Sequence, residues 1–205
     1  MGPNVRVTRG TGLLEGFLAG QRAKTADRLI PRELRSGCIV DVGCGSYPLF
    51  LLHTQFTRKV GLDRVVGEHY AKDFGPASNS AIEFLKHDIV QDPFLPIASE
   101  SCSVVTMLAV IEHVEPEHVS RLLLETHRVL TPGGMLIITT PAAWTDSLLR
   151  IMAKVGLVSA AELDEHKAAY TRADLASLLW QVFPREDVRV GFFEIFMNLW
   201  AVARK

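Results

Sequence analysis

Apolar positions along this chain follow two periods, and the two alternate. Leu13, Leu14, Phe17 and Leu18, then Ala26, Leu29 and Ile30, fall at helical spacing and predict one or two amphipathic helices over 12–34, closed by Gly37. Cys38–Val42 is a short β-type run with no polar alternation, the pattern of a strand buried on both faces. Pro48 stands where a first helical turn tolerates its missing N–H, and LFLLHTQF after it reads as helix. Lys59–Asp63 is a second strand, Phe84–Ile89 a third and Ser103–Val110 a fourth, with a poorly patterned stretch at 64–81 that includes the loop-forming FGPASNS. Pro116 opens a helix whose inward positions are Val119, Leu122, Leu123, Thr126 and Leu130, and TPGG at 131–134 stops it. Met135–Thr140 is a fifth strand, and residues 144–157 read as helix. Thr171 with Asp174 makes a capping-box start for a further helix through Leu179. The final DVRVGFFEIFMNLWAVARK is β-rich with no helix between its halves, which predicts that strands six and seven pair antiparallel.

Strands alternating with helices and followed by a terminal strand pair define an α/β class. The expected architecture is a doubly wound, mostly parallel seven-stranded sheet with an antiparallel C-terminal strand. A length of 205 residues suits one domain. With 48% apolar and 22% charged residues it has the composition of an ordinary globule. The three cysteines show no CxxC spacing, which argues against a disulfide framework or zinc knuckle and for a reducing cytoplasm. A formal charge of −1 gives no global field for nucleic acid, although the first 36 residues carry seven basic against three acidic side chains. Those charges alternate with apolar positions and read as a solvated helix face. No apolar run has the length of a membrane span, so no membrane insertion is expected. The N-terminus lacks a signal-peptide pattern, and Arg6 stands where a myristoylation motif needs Ser or Thr.

In a doubly wound sheet, ligands bind at the carboxyl ends of the strands, so the residues there carry the chemistry. Strand one ends in Asp41-Val42-Gly43-Cys44-Gly45. Gly43 permits a sharp turn, and Gly45 lets a ligand lie against bare backbone, at the N-terminal end of the following helix. A dinucleotide fold wants a third glycine where Pro48 stands, which lowers the expectation of an NAD(P) oxidoreductase, and no Walker lysine follows. Asp63 ends strand two, where a carboxylate can accept both hydroxyls of a ribose. Asp88 can accept from an adenine amino group while the backbone of Ile89 serves the ring. A nucleoside with a charged amino-acid tail would fill all three positions.

These residues resemble a known family. VDVGCG, LDR, HDI, VVTMLAVIEHV and RVLTPGGMLIITTP look like the ordered motifs of class I S-adenosylmethionine-dependent methyltransferases, nearest the small-molecule branch called methyltransferase type 11, which includes ubiquinone-biosynthesis-like enzymes. The resemblance runs motif by motif over about 37–141. It implies a Rossmann-like methyltransferase fold, with 1–36 as a helical cap, 37–141 as the cofactor-binding core and 142–205 as lid helices and terminal strand pair. It further implies that S-adenosyl-L-methionine is the cofactor and S-adenosyl-L-homocysteine the product. Asp41, Gly43, Cys44 and Gly45 would hold the methionine part, Asp63 and Arg64 the ribose side, Asp88 and Ile89 the adenine, and Leu108 and Ala109 would flank the methionine amino group. Tyr47 replaces the family's usual small residue. Candidates for a general base are His113, His166 and Tyr170; Glu112 could orient the His113 ring, and the remaining histidines read as surface or packing residues. Trp144 and Phe17 are candidate lids, with plain core packing as the alternative. LAVIEHV in place of Asn/Asp-Pro-Pro-Tyr argues against methylation of DNA bases or glutamine side chains, and no metal-ligand cluster is evident. The reading is a cytoplasmic enzyme with a small-molecule acceptor and no nucleic-acid partner. A non-catalytic binding domain on the same fold is the alternative.

Overall fold

A computed structural model describes residues 14–65, 82–145 and 167–205. Its strands are β1 (Cys38–Val42), β2 (Arg58–Asp63), β3 (Ile82–Lys86), β4 (Cys102–Leu108), β5 (Leu130–Pro141), β6 (Val188–Phe193) and β7 (Asn198–Arg204). The described helices are α1 (Glu15–Leu29), α2 (Leu49–His53), α3 (Pro116–Val129) and α4 (Arg172–Leu179). The strands form one sheet in the order β3-β2-β1-β4-β5-β7-β6. β3, β2, β1, β4 and β5 are mutually parallel, and β7 runs antiparallel between β5 and β6. The doubly wound sheet with its antiparallel ending is therefore present as the sequence predicts.

The side-chain period of two divides each central strand between two cores. Val40, Val42, Val105, Met107, Leu136 and Ile138 join Leu122 and Leu123 of α3 and Leu175 and Leu179 of α4. Ile39, Val104 and Ile137 face the other way, onto Ala23 and Ala26 of α1 and Phe50 and Leu51 of α2. Because both faces are covered, the central strands tolerate no polar alternation. Asp41 is a buried acid within β1, and by the same period it falls on the α1/α2 side.

Several element ends differ from the sequence pattern, each for a local reason. α2 is a single turn that stops at His53, with Pro48 just outside it. Lys59, buried on β2, reaches under that turn and donates to the carbonyls of Leu51 (2.9 Å) and Thr54 (3.3 Å). Arg35 and Asp27 meet the Thr54 hydroxyl and so tie the end of α1 to the end of α2. β3 begins and ends earlier than expected. Past Lys86 the Asp88 side chain accepts from the Val90 N–H (3.0 Å), an Asx turn that competes with strand continuation. β4 stops at Leu108 because Ala109 takes φ +56°. α3 ends at Val129, and TPGG lies inside β5 at a register shift rather than between elements.

α4 carries the expected capping box, with Thr171 and Asp174 hydrogen-bonding each other's backbone N–H. The β6–β7 turn places Glu194, Ile195 and Phe196 at φ +49°, +53° and +67°, conformations that hairpins usually assign to Gly or Asn. Phe17 and Trp144 are 60% and 58% exposed, so neither is core. The Trp144 indole N–H is fixed to the Phe196 carbonyl (3.1 Å). The helix predicted over 144–157 lies mostly outside the described residues. None of the described helices is long and apolar enough to cross a membrane.

The Lys59 clasp generates a stability prediction. Lys59→Met keeps the aliphatic stem and leaves two carbonyls without their cationic donor. Urea unfolding should show a loss of roughly 1–3 kcal/mol with an unchanged m-value. An unchanged midpoint would show that the clasp contributes nothing.

Candidate active site

The strand order reverses direction between β1 and β4, and the crevice outside their carboxyl ends is the site this topology provides. Asp41 stands one residue before the end of β1, directly across the ladder from Thr106 of β4. Their side chains share a face, and the Thr106 hydroxyl donates to Asp41 Oδ1 at 2.6 Å. Asp41 is buried. Burial pushes its carboxyl up to about 7 from an ordinary 3.8, the Thr106 hydroxyl opposes this, and the charge of Asp63 adds to it.

The chain leaves β1 through Gly43 and Gly45, at φ +77° and +72°. A Cβ on Gly43 would stand 2.5 Å from Cγ2 of Val110, so glycine is required by space as well as by φ. The Gly45 N–H donates to Asp63 Oδ2 (3.0 Å), and the Val65 N–H to Asp63 Oδ1 (2.9 Å). Each oxygen of that buried carboxylate is thereby held by a backbone donor. Cys44 is buried between them, and its thiol lies 3.6 Å from the Gly45 carbonyl. Arg64 is exposed.

Asp88 and Ile89 lie beyond β3 in a turn and are half-buried. One oxygen of Asp88 serves the Asx turn, as above. Leu108 ends β4 half-buried, and Ala109 follows in the left-handed region, its N–H still bonded to the Thr139 carbonyl (2.9 Å). A non-glycine residue in that conformation costs of order 1–3 kcal/mol and is typical of ligand sites.

The candidate bases divide. His113 sits half-buried in the short 3₁₀ turn Ile111–His113, beyond β4. The carbonyl of the buried Glu112 accepts from the N–H groups of Lys167 (2.7 Å) and Ala168 (3.2 Å), which stitches that turn to the segment leading to Tyr170. Tyr170 in turn bridges Ala142 at the end of β5. Its hydroxyl is buried and has no hydrogen-bond partner among the described residues. Burial, and then the charge of Glu112, push the phenol up to about 12. His166 lies outside the described residues. The sequence pattern missed Thr106 of β4 and Val110 just beyond it, which shape the crevice. Thr106 was findable, since a hydroxyl inside an apolar strand run is the one polar signal in VVTML.

The crevice suits a ligand that is cationic at one end and polyhydroxylated at the other. Asp41 is buried with the Thr106 hydroxyl as its partner among the described residues, and a positive group would favour its ionised form. The two glycines leave backbone bare beside it, and the oriented Asp63 lies one strand away. These features fit S-adenosylmethionine, whose tail carries an ammonium and whose ribose carries two hydroxyls.

Comparison with known proteins agrees. A family model described as a methyltransferase domain matches residues 40–138. The fold superposes on an S-adenosylmethionine-dependent methyltransferase from Archaeoglobus fulgidus with a TM-score of 0.63, at 16% identity over 91% of this chain and 94% of that one. A second, from Mesorhizobium loti, gives 0.64 at 20% identity over 92% and 100%. A third, from Thermotoga maritima and described as a possible histamine N-methyltransferase, gives 0.63 at 20% identity over 90% and 87%. At such identities the structural likeness is one of fold. No curated protein sequence matches the chain. The family model spans just under half of the chain, and together with the shared fold it supports an S-adenosylmethionine-dependent methyltransferase.

The buried Asp41 makes stability depend on pH. Its folded-state pKa, about 7, is above the unfolded value of 3.8, so the folded chain holds the extra proton between those limits. The stabilisation is full below the lower limit and is lost as pH rises through the upper one. Urea unfolding of the ligand-free protein should lose roughly 2–3 kcal/mol between about pH 5 and pH 8 relative to Asp41→Asn. Parallel pH profiles for the two proteins would refute the assignment.

Proposed function

We propose that the chain transfers the methyl group of S-adenosylmethionine to a small-molecule acceptor bound over the carboxyl ends of β4 and β5. The observation that carries this reading is the row of acids at three adjacent strand ends, Asp41, Asp63 and Asp88, with Asp41 and Asp63 buried. When bound, the cofactor supplies a methyl group on a sulfonium, already activated for in-line displacement.

The rest of the task falls to the protein. Asp41 takes the ammonium end, against the bare backbone of Gly43 and Gly45, with Cys44 packing the loop from beneath. Asp63, held by two backbone N–H groups, accepts from the ribose hydroxyls, and Arg64 stands at its solvent side. Asp88 and Ile89 take the adenine, and Leu108 and Ala109 border the methionine tail. The acceptor lies beyond them, where the Glu112–His113 turn meets Tyr170. Positioning of two reactants in a water-poor crevice can supply roughly 7–11 kcal/mol of the barrier, so alignment is the main contribution required.

His113 is the base in this reading, needed when the acceptor still carries its proton. Tyr170 has a raised pKa and stays neutral near pH 7. Its phenol therefore orients the acceptor by donating a hydrogen bond and does not abstract a proton. A general-base role for His166, as for His113, is proposed from the sequence alone.

Calorimetry tests the cofactor half. Asp63→Ala should weaken S-adenosylmethionine binding by about tenfold or more, because charge-assisted hydrogen bonds to the ribose are lost. Unchanged affinity would sink the ribose assignment. Kinetics test the acceptor half, once a screen of small molecules, RNA and protein fractions for transfer of labelled methyl has supplied an acceptor. Tyr170→Phe and His113→Ala should lower kcat while leaving cofactor affinity within about twofold. Label found only in RNA or protein would overturn the small-molecule reading.

A further inference from the structure

His87 reads from sequence as a surface or packing residue, yet its place in the fold is specific. It is the first residue beyond β3, next to Asp88. Its backbone N–H donates to the carbonyl of Asp63 at 3.0 Å, continuing the β2–β3 ladder past the end of the strand. Its ring turns the other way and meets the carbonyl of Asp92 at 2.8 Å through Nε2. A carbonyl can only accept, so Nε2 carries the hydrogen. One residue thus joins the ribose-side carboxylate's own backbone to the far end of the loop that carries Asp88 and Ile89.

The loop between is closed on itself at the same point. The Asp88 carbonyl accepts from the N–H groups of Gln91 (3.2 Å) and Asp92 (2.9 Å). Asp88 Oδ1 accepts from the Val90 N–H (3.0 Å), and Asp92 Oδ1 from the Phe94 N–H (3.0 Å). These bonds fix the loop's internal shape. Among the described residues, the His87 ring reaches across it, from the end of the strand to Asp92. Oδ1 of Asp88 accepts from the turn and is oriented by it, so the direction in which the carboxylate meets an adenine amino group follows the loop's orientation.

We infer that His87 is a positioning residue for cofactor recognition: its ring clasps the 88–92 loop so that Asp88 faces the adenine 6-amino group, and the chain's preference for adenine over a 6-oxo base depends on it. This rests on the assignment of Asp88 to adenine made under the proposed function. His87 touches neither the cofactor nor the reacting atoms in this scheme.

The test uses the full chain and two probes, S-adenosylhomocysteine and S-inosylhomocysteine, the latter carrying a carbonyl in place of the 6-amino group. Binding of each is measured by calorimetry for wild type, His87→Ala, His87→Gln and Asp88→Ala. The Gln amide can supply an N–H near the position of Nε2. His87→Ala should bind S-adenosylhomocysteine about tenfold more weakly and lose most of the adenine-over-hypoxanthine preference, and His87→Gln should recover most of both. With an acceptor in hand, His87→Ala should raise KM for S-adenosylmethionine and leave kcat at saturation unchanged. A general loss of stability would change neither the base preference nor the KM-against-kcat split in this way, and melting temperatures without ligand check for it. Wild-type affinity and preference in His87→Ala overturn the inference, as does failure of His87→Gln to recover more than His87→Ala. Wild-type behaviour of Asp88→Ala would instead overturn the adenine assignment itself.

Discussion

Asp41 stands one residue before the end of the central strand with its carboxyl shut away from water and the Thr106 hydroxyl as its described hydrogen-bond partner. A carboxyl group in that position is expensive to ionise, and its pKa moves to about 7 in consequence. Much of the surrounding structure follows from accommodating it. β1 and β4 must lie adjacent and in this register for the hydroxyl to reach it. The chain must then leave the strand without a side chain over the carboxyl, and two glycines with positive φ accomplish that. A second acid, one strand away, cannot be free to approach, and the Gly45 and Val65 N–H groups hold it in place.

The crevice is thus prepared for positive charge before any ligand arrives. Burial, and then the charge of Asp63, disfavour the ionised form of Asp41, and a cation placed beside Asp41 relieves that cost. The conformations that shape the crevice are similarly costly in isolation. Ala109 sits in the left-handed region where β4 ends, held by an N–H bond to Thr139 that belongs to the β4–β5 ladder. The sheet's cooperativity maintains the strained residue, as expected where geometry serves binding rather than stability.

The supporting elements act at one remove. Lys59 closes the C-terminal end of the single-turn α2 that follows the glycine loop. The Asp27–Arg35–Thr54 cluster links that same point to α1 on the α1/α2 face. On the opposite flank, the carbonyl of Glu112 ties the 3₁₀ turn beyond β4 to the strand-like segment that carries Tyr170. The cofactor side and the acceptor side are therefore braced by separate sets of hydrogen bonds. The braces involve backbone carbonyls for the most part, which a sequence motif does not record.

The amino-acid sequence by itself determined the alternation of strands and helices, the capping box at Thr171, the antiparallel ending and the acids at the tips of β1 and β2. Each of these is written in local terms: a hydrophobic period, a turn residue, a cap, a polar residue at the end of an apolar run. Asp88 was legible as an acid after a strand, but the point where β3 stops was not, because an Asx turn and continued strand are close competitors. Phe17 and Trp144 looked as suited to core as to surface, and only packing decided that both are exposed. The partner of Asp41 is 65 residues away in the chain, and the Glu112 stitch reaches residues 167 and 168. Such pairings depend on strand order and register, which arise when the whole sheet assembles and both of its faces are covered at once. That is why tertiary structure alone revealed Lys59 and His87 as clasps: each reaches a backbone carbonyl, and a carbonyl looks the same at every position in a sequence.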